Sequence, residues 1–229
     1  MPYRRLPNTD AARLRALETA LNKSIAVHHT ELAFSQKTLL KLKSFLTSYK
    51  LALTLNKEHT AQLKKLSDQT ANNNRSLRLY FSHFVQVLNM AIIRGEYKPQ
   101  IRTYYGFDEK ATNLPDVVTD AMLVQWTKKI IEGEELRTRE GGVPMSNPRI
   151  AIVKIKYDLF LRSAQSLKIS QQSTKNAQLK IAEMKSMADA IILLMWNEIE
   201  AGCNGTSAEE RRQQAEEYGV KYVFRPGER

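Results

Sequence analysis

Cysteine is almost absent from this chain of 229 residues, which contains Cys203 alone. A single cysteine cannot form an internal disulfide or supply a zinc site built from several thiolates. The sequence therefore excludes a disulfide-stapled secreted scaffold and a cysteine-based zinc domain. A nucleophilic role for Cys203 would need a histidine base, and the sequence positions none beside it.

Long apolar runs are absent as well. The longest uninterrupted apolar stretch, Ala190–Trp196, has seven residues, whereas a helix that spans a bilayer needs roughly 20. Residues 1–15 carry charges and lack the apolar core of a secretory signal. We therefore expect no membrane insertion and a cytoplasmic location.

Glycine and proline are scarce, at 9 and 7 residues, and neither occurs between Asn8 and Arg94. Because turns depend on these residues, the composition argues against an all-β fold. The sequence predicts an all-α fold: an elongated bundle of two long helical hairpins, a loop-rich connection with one helix, a short C-terminal helix and one extended strand. The predicted domains are a bundle over 1–205, with hairpins at 8–94 and 149–202 and the connection at 95–148, and an appendage over 206–229.

The first hairpin is predicted from its helical periodicity. Asn8, Thr9 and Asp10 supply capping side chains at its start. Leucine and isoleucine then recur every seven residues, which indicates a coiled-coil-like seam, at Ile25, Leu32, Leu39, Leu46 and Leu53. The asparagine-rich segment 67–76 has low helix propensity, so we expect the turn of the hairpin there.

The second half of the chain repeats this order of elements. Thr119 or Asp116 can cap the helix of the connection, and a second hairpin turn is expected at 170–176. Shifting the chain by 108 residues aligns Tyr49–Leu53 with Tyr157–Leu161. The order of elements is compatible with an internal duplication, and the short matches leave that question open.

The C-terminal region contains a helix followed by a strand. Ser207 and Glu210 form a capping box, and Gly219 is expected to end the helix. Val220–Phe224 is rich in β-formers and would be an aggregation hazard with its edge in water. We expect this strand to dock against Ile101–Phe107 or against the same strand of a second copy.

Catalytic and metal-binding motifs were not found in the sequence. Nucleotide-binding loops, the serine-hydrolase elbow and the zincin motif are missing, and no glutamate has a histidine three positions later as a di-iron site requires. Neither His28 with Glu31 nor Glu58 with His59 has a spacing that favours a metal, and His29 and His83 add no partner. The sequence predicts no enzyme activity, no cofactor and no metal.

Positive charge is concentrated in one part of the chain. The chain has 35 basic and 24 acidic residues, net +11, and residues 1–94 alone carry 15 against 5. The lysines at seven-residue spacing in this region have two possible interpretations. Either they flank the apolar seam and keep its edges soluble, or they form a ridge that binds an anionic partner or nucleic acid. This candidate ridge, with four nearby arginines, comprises Lys43, Lys50, Lys57, Lys64, Arg4, Arg5, Arg13 and Arg15.

The densest aromatic cluster, Tyr104-Tyr105-Gly106-Phe107, lies in the connection. Aromatic residues in a loop either anchor it onto the bundle or form a binding surface. Anchoring is the favoured interpretation.

Four stretches of the chain resemble uncharacterised helical-bundle proteins of Bacteroidetes bacteria. These are Met1–Asp10, Arg102–Gly106, Trp126–Gly142 and Tyr218–Glu228. The resemblance implies a bacterial helical bundle, and it brings no function or site residue.

Two functional hypotheses follow. The first is a non-enzymatic interaction or scaffold protein that binds a protein partner or associates with itself. The alternative is a nucleic-acid-binding protein that uses the basic ridge.

Overall fold

The computed structural model describes residues 2–110, 113, 115–205, 207–225 and 227. Within these ranges lie five α-helices, one 3₁₀ helix and one pair of short strands. The all-α class predicted from the sequence is confirmed. In chain order the elements are β1 (Tyr3–Arg4), α1 (Asp10–Ala26), α2 (Gln36–Ile93), the 3₁₀ helix (Pro99–Tyr105), α3 (Asp120–Arg139), α4 (Ile150–Gly202), α5 (Ala208–Glu217) and β2 (Tyr222–Val223).

The chain forms two compact units. Residues 1–60 and 173–229 form one, which we call the terminal unit, and residues 61–172 form the other, the central unit. The long helices α2 and α4 each contribute one part to each unit. The predicted appendage over 206–229 falls within the terminal unit.

The terminal unit is built around an apolar core from α1, α2 and α4. Leu17, Leu42 and Ile192 are fully buried in it. Tyr49 is also buried, and its hydroxyl donates to Asp10 Oδ1 at 3.1 Å. The core therefore contains residues from both ends of the sequence.

The central unit has its own core, formed by α2, α3, α4 and the 3₁₀ helix. Phe81, Phe84, Leu123, Ile130 and Val153 are all fully buried in this cluster. These residues recur at the three- and four-residue spacing that places one face of each helix inward.

The turns predicted at 67–76 and 170–176 are wrong, because α2 and α4 continue through both segments. The second predicted hairpin is one long helix, α4, and the first consists of α1 and the long helix α2. Asn73 Nδ2 donates to the Leu159 carbonyl at 3.4 Å, and Asn74 Nδ2 donates to Asp120 Oδ1 at 2.7 Å. These tertiary contacts satisfy side chains that would otherwise compete for the backbone, so they override the low intrinsic helix propensity.

The first helical region is interrupted at residues 27–35 instead. Ser35 Oγ accepts from the Thr38 N–H at 3.2 Å, as an N-cap does at the start of a helix. The Ser35 N–H and the Thr38 hydroxyl donate to Glu198 of α4 at 2.8 and 2.9 Å. Burial opposes ionisation of Glu198, but these hydrogen bonds outweigh it and lower its pKa. With α1 ended at Ala26, Ile25 is 70% exposed and does not belong to the predicted seam.

The helix signals at three other positions are confirmed. Thr9 caps α1 and Thr119 caps α3, each accepting from a backbone N–H with its side chain. Ser207 and Glu210 form both hydrogen bonds of the predicted capping box at α5. Gly219, at φ 91°, follows Tyr218, the C-cap residue of α5.

The C-terminal strand is docked, but on a partner that the sequence did not predict. Tyr222 and Val223 pair antiparallel with Arg4 and Tyr3 of β1. Docking on Ile101–Phe107 or on a second copy is therefore wrong for this strand. In the sequence, the N-terminal residues look like a polar segment that precedes α1. A strand of two residues has too little periodicity to be recognised.

Among the described residues, no helix is both long enough and apolar enough to span a bilayer.

Candidate functional site

The two ends of the sequence meet beside α1 in the terminal unit. Next to the paired residues of β1 and β2, the Arg5 N–H donates to the Lys221 carbonyl at 2.8 Å. Val220, the residue before Lys221, is only 2% exposed and packs into the core. The chain termini are thus held by backbone hydrogen bonds and by an apolar anchor.

Gly219 makes this approach possible. A Cβ at this position would lie 3.0 Å from the Thr19 Cβ, and its positive φ is strained for any other residue. A glycine therefore turns the chain from α5 into β2 while the backbone stays close to α1.

A cavity of about 730 Å³ lies between these segments, and we call it the terminal cavity. Its volume is within the range of small-ligand sites. The walls combine apolar side chains with cationic ones. The residues that line it are Arg5, Leu6, Pro7, Asn8, Ala12, Arg15, Ala16, Thr19, Trp196, Glu216, Gly219, Val220, Lys221, Tyr222 and Val223.

The lining carries a net positive charge. Arg5, Arg15 and Lys221 are exposed, and none has an ion pair with another residue in the described ranges. Glu216 is the acidic residue among those lining the cavity. Three cations against one carboxylate create a positive potential, which a low-dielectric wall strengthens.

Trp196 forms part of the apolar wall. It is only 1% exposed, and its indole Nε1 finds no hydrogen-bond partner in the described part of the chain. A buried donor without a partner costs about 1–3 kcal/mol. Trp196 is therefore a lining residue whose buried indole nitrogen has no partner among the described residues.

The structure separates the four predicted arginines into two pairs. Arg5 and Arg15 line the terminal cavity. Arg4 instead donates to Asn197 Oδ1 at 2.8 Å and to Glu200 Oε2 at 3.0 Å. Arg13 forms a two-bond pair with Asp189, at 2.7 and 3.0 Å, and this hydrogen bonding raises its pKa. The second pair holds α1 and β1 against α4.

The four predicted lysines are all exposed on α2. Seven residues advance a helix by about 10 Å with little rotation, so they follow one face of α2. Lys50 Nζ lies 2.7 Å from Glu18 Oε1 of α1 and is neutralised by that carboxylate. Lys43 and Lys57 lie in the terminal unit without such a partner there, and Lys64 lies in the central unit.

Trp196, Lys221 and Glu216 were not predicted as site residues. Trp196 occurs in an apolar helical segment, where its sequence signal is that of a core residue. Lys221 lies more than 200 positions from Arg5. Only the pairing of β1 with β2 brings these residues to one cavity, and no local pattern reports that pairing.

A buried polar cluster lies in the central unit, and we call it the Glu134 cluster. Glu134 accepts from the Tyr105 hydroxyl at 2.5 Å, from Arg137 Nη2 at 2.8 Å and from the Met145 N–H at 2.8 Å. Arg137 also donates to the Val143 carbonyl at 2.8 Å. These bonds tie the 3₁₀ helix and the segment after α3 to α3 itself.

The aromatic cluster at residues 104–107 anchors its loop, which was the interpretation favoured from the sequence. Tyr105 is fully buried against Phe84 of α2, and Phe107 packs on Trp126 of α3. Burial, followed by the hydrogen bond to Glu134, raises the pKa of Tyr105. Its hydroxyl therefore stays protonated and acts as a structural donor.

Arg102, in the 3₁₀ helix, is 2% exposed, and its Nε and Nη1 have no hydrogen-bond partner. That absence of partners concerns the described residues, and Arg102 lines neither the terminal cavity nor the smaller cavity beside Cys203.

Cys203 is buried, and burial raises the pKa of its thiol. A thiolate is the reactive form, so this environment disfavours nucleophilic chemistry. Across the described ranges, no group of three or more His, Cys, Asp or Glu residues is arranged to hold a metal ion.

No protein-family model, curated protein or solved structure matches this chain. The geometry of its own residues is therefore the basis for a functional proposal.

Proposed function

We propose that this chain is a non-enzymatic interaction protein that recognises a segment of a protein partner in the terminal cavity. The observation that supports the proposal is an open cavity whose cations, Arg5, Arg15 and Lys221, have no ion pair within the described residues. A partner with complementary charge can engage them without displacing an internal ion pair. The proposal places this binding in the cytoplasm, the location expected from the sequence.

The size of the cavity favours a segment over a folded surface. A volume of about 730 Å³ accommodates a few side chains. Its apolar residues with exposed surface, including Leu6 and Val223, offer area that a polar small ion would leave uncovered. A short stretch of chain with apolar side chains and a negative group matches both parts of the wall.

Selection from a displayed library of random peptides tests this function. The selected peptides are measured on the wild type and on two matched variants, Ala12→Phe and Ala11→Phe. Ala12 lines the cavity, whereas its exposed neighbour Ala11 does not. We expect Ala12→Phe to weaken binding by about tenfold or more and Ala11→Phe to leave it unchanged.

Two results would contradict the proposal: a library that yields no binder, or binders with equal affinity for both variants. Thr19→Phe provides a second obstruction from an exposed position in the lining. Thermal unfolding of each variant shows whether it is folded before its affinity is interpreted.

The partner can also be a second copy of the chain. Light scattering coupled to size-exclusion chromatography tests this form of the proposal. A mass that rises with concentration supports self-association, and a strict monomer at high concentration contradicts it.

Nucleic acid is the second candidate ligand. The observation that favours it is the exposure of Lys43, Lys57 and Lys64 along one face of α2. Binding through phosphate contacts would weaken steeply with salt. Labelled duplex and single-stranded DNA and RNA are titrated at low and moderate salt, with the four ridge lysines replaced by glutamine as the comparison. Undetectable affinity at low salt, or affinity unchanged by the substitutions, rejects this candidate.

A further inference from the structure

We infer that the terminal cavity selects a free carboxylate carried on an apolar body, and that its source is the C-terminal end of a peptide chain. This inference rests on the proposed function and specifies the chemical group that the cavity recognises. It is carried by the charge, the wall chemistry and the size of the cavity together.

The charge of the lining favours an anion. Arg5, Arg15 and Lys221 contribute three positive charges, and Glu216 contributes one negative charge. The guanidinium groups of arginine match the planar geometry of a carboxylate through paired N–H donors.

The arginines are positioned by elements that are themselves held in place. The backbone N–H of Arg5 is bonded to Lys221, one residue beyond the β1 pair. Arg15 is on α1, two residues after Arg13, whose ion pair with Asp189 ties this helix to α4. Only the side chains of Arg5 and Arg15 need to become ordered, which limits the entropy lost on binding.

The apolar part of the wall determines the rest of the ligand. Leu6 is 46% exposed, and Pro7 and Val223 are half-buried, so these lining residues offer apolar surface to a ligand. An apolar side chain next to the carboxylate would cover this surface, as the last residues of a peptide can.

Calorimetric titration of the full chain tests the inference with three probes. The first is an N-acetylated tetrapeptide with apolar side chains and a free C-terminal carboxylate. The second is its C-terminal amide, which differs only in the charged group, and the third is the small acid 3-phenylpropionate. We expect the peptide acid to bind at least about tenfold more tightly than the amide, because charge-assisted hydrogen bonds are lost in the amide.

Two charge-matched double variants sharpen the test. Arg5→Gln with Arg15→Gln removes two cations from the cavity, and Lys43→Gln with Lys57→Gln removes two exposed cations outside it. We expect the first variant to abolish the preference for the acid and the second to preserve it. A preference that survives in the first variant overturns the inference.

The remaining outcomes separate the inference from the proposed function. Equal binding of peptide acid and amide overturns carboxylate selection, while peptide recognition in the cavity stands. If 3-phenylpropionate binds as tightly as the peptide acid, the source is a free small acid and the chain-end assignment is overturned. If no probe binds although the peptide library yields cavity-dependent binders, carboxylate selection is contradicted and the proposed function is retained.

Discussion

The Glu134 cluster and the terminal cavity both place polar groups against an apolar core, but only the first supplies all of their partners. Glu134, Arg137 and Tyr105 bond to one another and to backbone groups of the central unit. In the terminal cavity, Trp196 Nε1 has no partner among the described residues, and Arg5 and Arg15 have no ion pair there. The contrast distinguishes a polar cluster that stabilises the fold from one that is open to a ligand.

The largest expected effect comes from breaking the Glu134 cluster. Arg137→Ala leaves the fully buried Glu134 carboxylate without its ion-pair partner, and such a loss destabilises by about 3–5 kcal/mol. Lys154→Ala is the control, because it removes an exposed pair with Glu135 that solvent screens and that adds little to stability. Urea unfolding measures both. Equal losses would show that the buried pair has no special structural role.

Docking of the C-terminal strand depends on Val220. Val220→Ala removes two buried methyl groups and should lower the free energy of unfolding by about 2 kcal/mol. The control is Val118→Ala, since Val118 is 76% exposed. Hydrogen exchange provides an independent measurement. An Arg5 amide, which donates to the Lys221 carbonyl, that exchanges as fast as in a free peptide would contradict the pairing of the two strands.

A smaller effect is expected at the hydroxyl of Tyr105. Tyr105→Phe removes the donor to Glu134 and the acceptor for Arg137 Nε, which should cost about 1–2 kcal/mol. Tyr222→Phe is the control, because it removes a hydroxyl that donates to the exposed Glu200 at 2.6 Å. We expect thermal unfolding to show a larger shift for Tyr105→Phe. A larger shift for Tyr222→Phe would contradict a stabilising role for the Glu134 cluster.

The smallest effect is a change in the pH dependence of stability through Tyr49. Burial and the nearby Asp10 carboxylate raise its pKa to about 12, whereas an unfolded tyrosine titrates near 10. Between these values the unfolded chain loses a proton that the folded chain retains, so stability falls as the pH rises. Tyr49→Phe should lose less stability between about pH 9 and about pH 11 than the wild type. Tyr3→Phe, at an exposed position, is the control, and equal losses in all three proteins would contradict the prediction.

The sequence predicted those parts of the fold that depend on local signals. Thr9, Thr119 and the Ser207 capping box each act within one turn of helix, and the structure has all three. The continuity of α2 was missed because Asn73 and Asn74 form hydrogen bonds with residues far along the chain. Local propensity cannot report such partners.

The site was predictable only in part, for the same reason. Arg5 and Arg15 were identified from the basic N-terminal region, but nothing local separated them from Arg4 and Arg13. That separation depends on Asp189 and Glu200 of α4, which neutralise the second pair. The cavity itself requires β1 to pair with β2, a contact between the two ends of the sequence.

The most direct test of the terminal cavity as a ligand site is the indole Nε1–H resonance of Trp196 in a ¹H–¹⁵N correlation spectrum. The chain has 2 tryptophans, so Trp126→Phe assigns both indole signals. We expect the tetrapeptide acid to shift the Trp196 signal progressively while the Trp126 signal of the central unit stays in place. A Trp196 signal that remains unchanged at peptide concentrations that saturate calorimetric binding would contradict recognition in this cavity.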